Sequence, residues 1–120
     1  MKAALTSILL LVCAGSAHAE PATRADKAFV LAWAKQFFAD PYSLRSTEIS
    51  DRTEVDGVPV LCVAFNAKNA YGAYAGTYRK PFEITSTGLV PGERSYRVDT
   101  GTCWRPSIVM KPFPELSAIK

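Results

Sequence analysis

The run VPVLCVAFNAKNAYGAYAGTYRKPFEI, residues 58–84, decides the fold. Its first part carries β-branched or aromatic residues at Val58, Val60, Val63 and Phe65, with Cys62 among them. A short run that is apolar in both parities reads as a strand covered on both faces, and so as a central strand. From Tyr74 the period becomes two. Tyr74, Tyr78, Lys80, Phe82 and Ile84 share one face, and Ala75, Thr77, Arg79 and Glu83 share the other. That alternation predicts a second strand with one core face and one wetter face. Between the two, Asn66, Lys68, Asn69, Tyr71 and Tyr74 share a turn with Gly72 and Gly76. Glycines of this kind permit positive φ or a close backbone approach.

Working outward, Asp56-Gly57 is a two-residue hairpin signal. It sets Ser46 to Val55, read as a single strand, antiparallel to the central one. Ser86-Thr87-Gly88 and Pro91-Gly92 read as an exposed connection. Ser95 to Thr100 alternates again, with Tyr96 and Val98 against Arg97 and Asp99, and is expected to be a further strand. Upstream, KAFVLAWAKQFFA at 27–39 predicts an amphipathic helix with Asp26 or Thr23 as its cap. Phe29, Val30, Trp33, Ala34 and Phe37 fall on its core face, while Lys27, Lys35 and Gln36 face water. Asp40-Pro41 stops it, because the residue before a proline is pushed out of the helical region. Pro106, Pro112 and Pro114 rule out a long helix in the tail, 105–120. Ser107 to Met110 is expected as a short edge strand, with the last six residues disordered. The fold class expected is α+β: one N-terminal helix on an antiparallel sheet of four or five strands, with one disulfide.

The first residues read as a targeting signal. A lysine at position 2, an apolar run of about a dozen residues and the small residues Ala17-His18-Ala19 form a secretory leader with an A-x-A site. A spanning helix needs about twenty apolar residues, so a retained membrane span is not expected. Cys13 offers a lipidation site, but Val12 stands where such sites carry Gly, Ala or Ser, and the A-x-A reading is preferred. Cleavage after Ala19 places the protein in the periplasm or outside the cell, as a single domain from residue 20 to residue 120. Two of the three cysteines, Cys62 and Cys103, then remain. An even count in an oxidising compartment predicts that they pair.

Cleavage also discards His18, the one histidine of the chain. Ser-His-Asp and Cys-His nucleophiles, histidine-based zinc sites and a neutral-pH imidazole acid or base are thereby excluded. Glu48, Asp51, Glu54 and Asp56 lie close enough in sequence for a carboxylate-based hydrolase, but they read better as solvated strand and turn charge, with no apolar pocket around them. No G-K-[ST] follows Gly72 and Gly76, so no phosphate-cradling loop is present. Neither metal nor cofactor is expected. Loss of Lys2 leaves 13 of the 14 basic residues against 11 acidic ones, far from the dense positive field of a nucleic-acid binder.

DPYS at 40–43, followed by CVAFNAKNAYGAYAG at 62–76, resembles a pattern that recurs in small exported proteins of Proteobacteria. In that pattern a D-P-x-S corner precedes C-x3-N-x-K-N-x2-G-x-Y. The similarity covers about a third of the chain and implies a shared fold and an exported location. The family has no assigned activity, so no catalytic role is carried over. A broader likeness, to periplasmic lysozyme inhibitors that are small, β-rich and disulfide-bonded with a glycine-tyrosine loop, implies an inhibitor of a peptidoglycan-cleaving enzyme as the alternative. The reading preferred is a non-enzymatic accessory module of the cell envelope. It would present Asn66, Lys68, Asn69, Tyr71 and Tyr74 to an envelope protein or, second, to cell-wall glycan. Directional polar groups and rigid tyrosines are what such interfaces use.

Overall fold

Strand β3, Val58–Asn66, is the spine of the sheet. A computed structural model describes residues 19–120, so the expected leader lies outside the described residues except for Ala19. β3 pairs on one side with β4, Tyr78–Thr85, and on the other with β1, Arg45–Ser50, and β2, Thr53–Val55. β5, Gly88–Pro91, closes the edge beyond β4, and β6, Met110–Pro112, the edge beyond β1. All pairings are antiparallel, and the sheet has six strands rather than four or five.

The spine divides the interior in two, as a strand apolar in both parities requires. Leu61, Val63 and Phe65 point to a core completed by Val30 and Ala34 of helix α1, Arg24–Phe37, and by Phe82, Phe113 and Leu116. Val60 and Cys62 point the other way, to Val55, Cys103 and Ile108. There the Cys62–Cys103 disulfide forms, with Cα atoms 5.7 Å apart. It ties the centre of the sheet to a 3-10 turn at Thr102–Trp104.

Several expectations are corrected. The strand from Ser46 to Val55 is two strands, broken at Asp51 and Arg52, where the backbone of Arg52 bonds Glu20 in both directions and the Arg52 side chain meets Asp26 of α1 at 2.8 Å. Ser95 to Thr100 is not a strand. Glu83 draws it over the sheet instead, bonding Ser95 Oγ at 3.0 Å and Arg97 at 3.2 Å, and of the two residues expected on one face Val98 packs against the core while Tyr96 is exposed. The edge strand is the connection itself, 88–91, followed by a 3-10 turn at Gly92–Arg94. The face of β4 expected to be wetter is covered in its middle: Pro81 and Glu83 are buried by that returning segment. β4 also starts at Tyr78, not Tyr74.

The helix begins three residues earlier than expected. Thr23 is its cap, in a reciprocal box with Asp26. Its core face is turned accordingly, with Asp26, Val30 and Ala34 buried. Trp33 is half-buried against Phe82, while Phe29 and Phe37 are exposed at the rim and Lys27 lies over the Phe113 ring. The tail is ordered. The edge strand falls at 110–112 instead of 107–110, and helix α2, Pro114–Ser117, plugs Phe113 and Leu116 into the core. Two buried side chains explain that order better than composition does.

One feature matched its signal closely. Asp56 and Gly57 have φ of 52° and 80°, both positive, which is what a two-residue hairpin with right-handed strand twist requires.

Candidate functional site

The corner and the turn that carry the resemblance are brought together at one end of β3. Asp40 caps the 3-10 turn Pro41–Ser43 by accepting from the Tyr42 N–H at 3.1 Å. Ser43 then serves both segments. Its Oγ donates to the Asp40 carbonyl at 2.7 Å and accepts from the Lys68 N–H at 2.9 Å, and its carbonyl accepts from the Tyr74 hydroxyl at 2.9 Å. Lys68 and Tyr74 face each other across a β-bridge. A serine at the end of the corner is thus the point to which the turn is fastened.

The two asparagines are used within the turn. Asn69 Oδ1 accepts from the N–H groups of Tyr71 and Ala73 at 2.9 and 3.1 Å, and the Asn69 backbone bonds Ala73 and Gly72. Asn66 Oδ1 accepts from the Gly76 N–H at 3.1 Å. Asn and Asp side chains commonly stand in for backbone acceptors in this manner. Gly72, with φ 78°, lets the chain turn back after Tyr71 without a Cβ penalty. With these bonds made, the turn presents its remaining groups on a braced backbone.

What it presents is aromatic and basic. Tyr71 is 95% exposed and Tyr42 67% exposed. Tyr74 is half-buried, and its ring does not join the core: the Arg45 guanidinium carbon lies 3.5 Å from its centroid and Lys68 Nζ 5.7 Å. Tyr78, half exposed and 5.7 Å from the Phe65 ring, borders the same end of the sheet. Four of the five tyrosines of the chain are therefore gathered here. Arg45 was missed by sequence reading. It stands at a bulge, where two residues of β1, Ser46 and Thr47, oppose the single Phe65 of β3 and Ser46 adopts φ 54°. Bulges re-aim the side chain beside them, and no periodicity announces one.

The carboxylates do not assemble into a site. Asp51 pairs with Lys111 at 2.6 Å, Asp56 pairs with Arg105, and Glu54 is exposed on β2. Glu48 lies on β1 between Ala64 and Pro112. Among the described residues no group of three or more His, Cys, Asp or Glu is placed to hold a metal ion, and no helix is long and apolar enough to cross a membrane.

A concavity of about 650 Å3 opens elsewhere, between α1 and the edge strand β5, lined by Phe29, Trp33, Phe37, Leu89 and Pro91. Glu93 of the same lining pairs with Lys80 of β4, whose Nζ lies 4.9 Å from the Phe37 ring centroid. Burial raises the Glu93 carboxyl, but the hydrogen bond from Lys80, its own backbone and the Trp33 indole outweigh that and hold it below its ordinary value. The exposed aromatics of the helix line this groove, a use that helical periodicity alone does not distinguish from core.

Comparison of the chain with family models, with characterised proteins and with solved structures finds no match.

Proposed function

We propose that the protein is an exported, non-enzymatic envelope module that captures a partner protein through the end of the sheet formed by the 40–45 corner and the 66–78 turn. The observation that carries this reading is the double use of Ser43, which fastens the turn by Lys68 N–H and Tyr74 hydroxyl while Tyr71 stays 95% exposed. A large amphipathic side chain on a braced loop binds at low entropic cost, because little backbone freedom remains to be lost. Exposed tyrosines of this kind are the residues from which interface hot spots are built.

The test is site-directed photo-crosslinking in the envelope. A photoreactive phenylalanine analogue replaces Tyr71 in one protein and Tyr96, 98% exposed on the 95–100 segment, in another. Discrete protein adducts from position 71 and none from position 96 support the reading. Equal labelling from both, or none from position 71, overturns it. A peptidoglycan-cleaving enzyme in the adduct assigns the inhibitor form of the same function, and a glycan adduct replaces the protein partner with the cell wall.

A further inference from the structure

We infer that Arg45 and Lys68 form a carboxylate-receiving site around the ring of Tyr74, and that its occupant is an acidic segment of the partner protein. The inference rests on the binding role proposed above and names the chemistry that the partner must bring.

Two cations approach one aromatic ring, Arg45 at 3.5 Å and Lys68 at 5.7 Å from its centroid. Among the described residues neither has a carboxylate partner, whereas Arg52, Lys80, Arg97, Arg105 and Lys111 each do. Residues 1–18 contain no Asp or Glu. Within 40–45 and 66–79 the one acidic residue is Asp40, and its Oδ1 is engaged by the Tyr42 N–H. Two like charges drawn to one ring repel, and an anion that meets them offsets that repulsion.

The geometry favours a carboxylate. A guanidinium lying over a ring keeps its N–H donors around its own rim, where a planar acceptor can engage two at once. Stacking on Tyr74 also restricts Arg45 before any ligand arrives, and the Tyr74 ring is itself fixed by its hydroxyl bond to the Ser43 carbonyl. Ser46, with φ 54° at the bulge, holds a conformation unusual for a residue with a side chain, and it adjoins the guanidinium-bearing residue.

The surroundings favour a protein. Tyr71, three residues after Lys68, and Tyr42, three residues before Arg45, offer exposed apolar ring faces on the same two segments, which an acidic peptide with aromatic or aliphatic neighbours can cover and a bare polyanion cannot. Anionic membrane surfaces are met by clusters of about four to eight Lys and Arg, more than this end of the sheet carries.

The probe is a fluorescent random copolymer of glutamate and tyrosine, titrated against the folded exported protein and read by anisotropy. Matched titrations use a lysine-tyrosine copolymer, a polyuronate and phosphatidylglycerol vesicles. The expected result is saturable binding of the glutamate-tyrosine copolymer that weakens as salt rises. Arg45→Met or Lys68→Met should weaken it about tenfold or more, as removal of a charge-assisted hydrogen bond does. Arg45→Lys should fall between, because it keeps the charge and loses the fork. Lys35→Met and Arg94→Met, which remove cations elsewhere, should bind as wild type does. Thermal melts of every variant establish that each is folded. Wild-type affinity in the folded Arg45→Met and Lys68→Met proteins overturns the inference. So does Arg45-dependent uptake of vesicles or polyuronate without uptake of the copolymer. Either failure alongside persistent Tyr71 crosslinks removes the carboxylate site and leaves the binding module standing; loss of the crosslinks removes the module itself.

Discussion

Ser43→Ala probes the fastening of the turn directly. The substitution deletes an acceptor for the Lys68 N–H at 2.9 Å and a donor to the Asp40 carbonyl at 2.7 Å, while the Ser43 carbonyl that receives Tyr74 remains. Lys68 is half-buried, so part of its amide's lost bonding is not replaced by water. A net hydrogen bond contributes about 1 kcal/mol, and an amide left unsatisfied costs about 1 to 3, so the variant should lose about 1 to 2 kcal/mol. In a domain of about a hundred residues that is a fall in Tm of about 5 to 10 °C. Tyr74→Phe is the companion: it removes only the hydroxyl bond and keeps the ring beneath Arg45, so about 1 kcal/mol is expected. The decisive assay is amide hydrogen exchange, because it reports locally. Lys68 and Ala73 should lose protection in Ser43→Ala well before Val63, which sits in the core of the spine. If the Lys68 amide exchanged at its wild-type rate in Ser43→Ala, the corner would not hold the turn, and the reasoning from Ser43 to a braced surface would fall.

Three further outcomes follow from the same structure. Cys62→Ala removes a crosslink spanning 41 residues and should destabilise by about 4 kcal/mol in the chain-entropy account, read as a large loss of Tm relative to the oxidised protein. Trp33→Ala should cost about 3 kcal/mol, the lower end for a large aromatic because the ring is only half-buried, and denaturant melts measure it. Glu93 has a folded value depressed below 4.5, so its contribution is complete above that pH and is lost as pH falls through the folded value. Wild-type Tm should therefore drop more between pH 6 and pH 3 than that of Glu93→Gln, and equal slopes would show that the Lys80–Glu93 pair contributes nothing to acid sensitivity.

Local pattern made the spine, the hairpin and the disulfide legible. Val58 to Phe65 is apolar in both parities, Asp56-Gly57 supplies two positive φ values, and two cysteines remain after the leader expected for an exported chain. The errors came where tertiary contacts decide. Ser95 to Thr100 has the period of a strand but lies across the sheet because Glu83 binds Ser95 and Arg97, an attraction with no periodic signature. The last six residues are expected to be disordered as a chain end, yet Leu116 among them is fully buried, beside a fully buried Phe113. Phe29 and Phe37 were placed on the helix face of Val30 and Ala34, but only the latter two are buried; the two phenylalanines are partly exposed and line a groove with Leu89 and Pro91 of the edge strand. At the candidate site, Lys68, Tyr71 and Tyr74 were visible as unusual residues in a glycine-bearing turn. Arg45 was invisible, since it comes from another strand and is re-aimed by a bulge.

The proposed function requires that Lys68 and Tyr71 be presented for binding and be spare for folding. Lys68→Ala combined with Tyr71→Ala tests it when capture from envelope extract and Tm are measured on the same preparations. Tyr71 is 95% exposed, and Lys68→Ala keeps the backbone N–H that Ser43 receives at this half-buried position, so losing the two side chains should change stability by about 0.5 kcal/mol or less and leave the melt unchanged with partner capture lost. A double variant that melts like wild type and captures as much partner would contradict it.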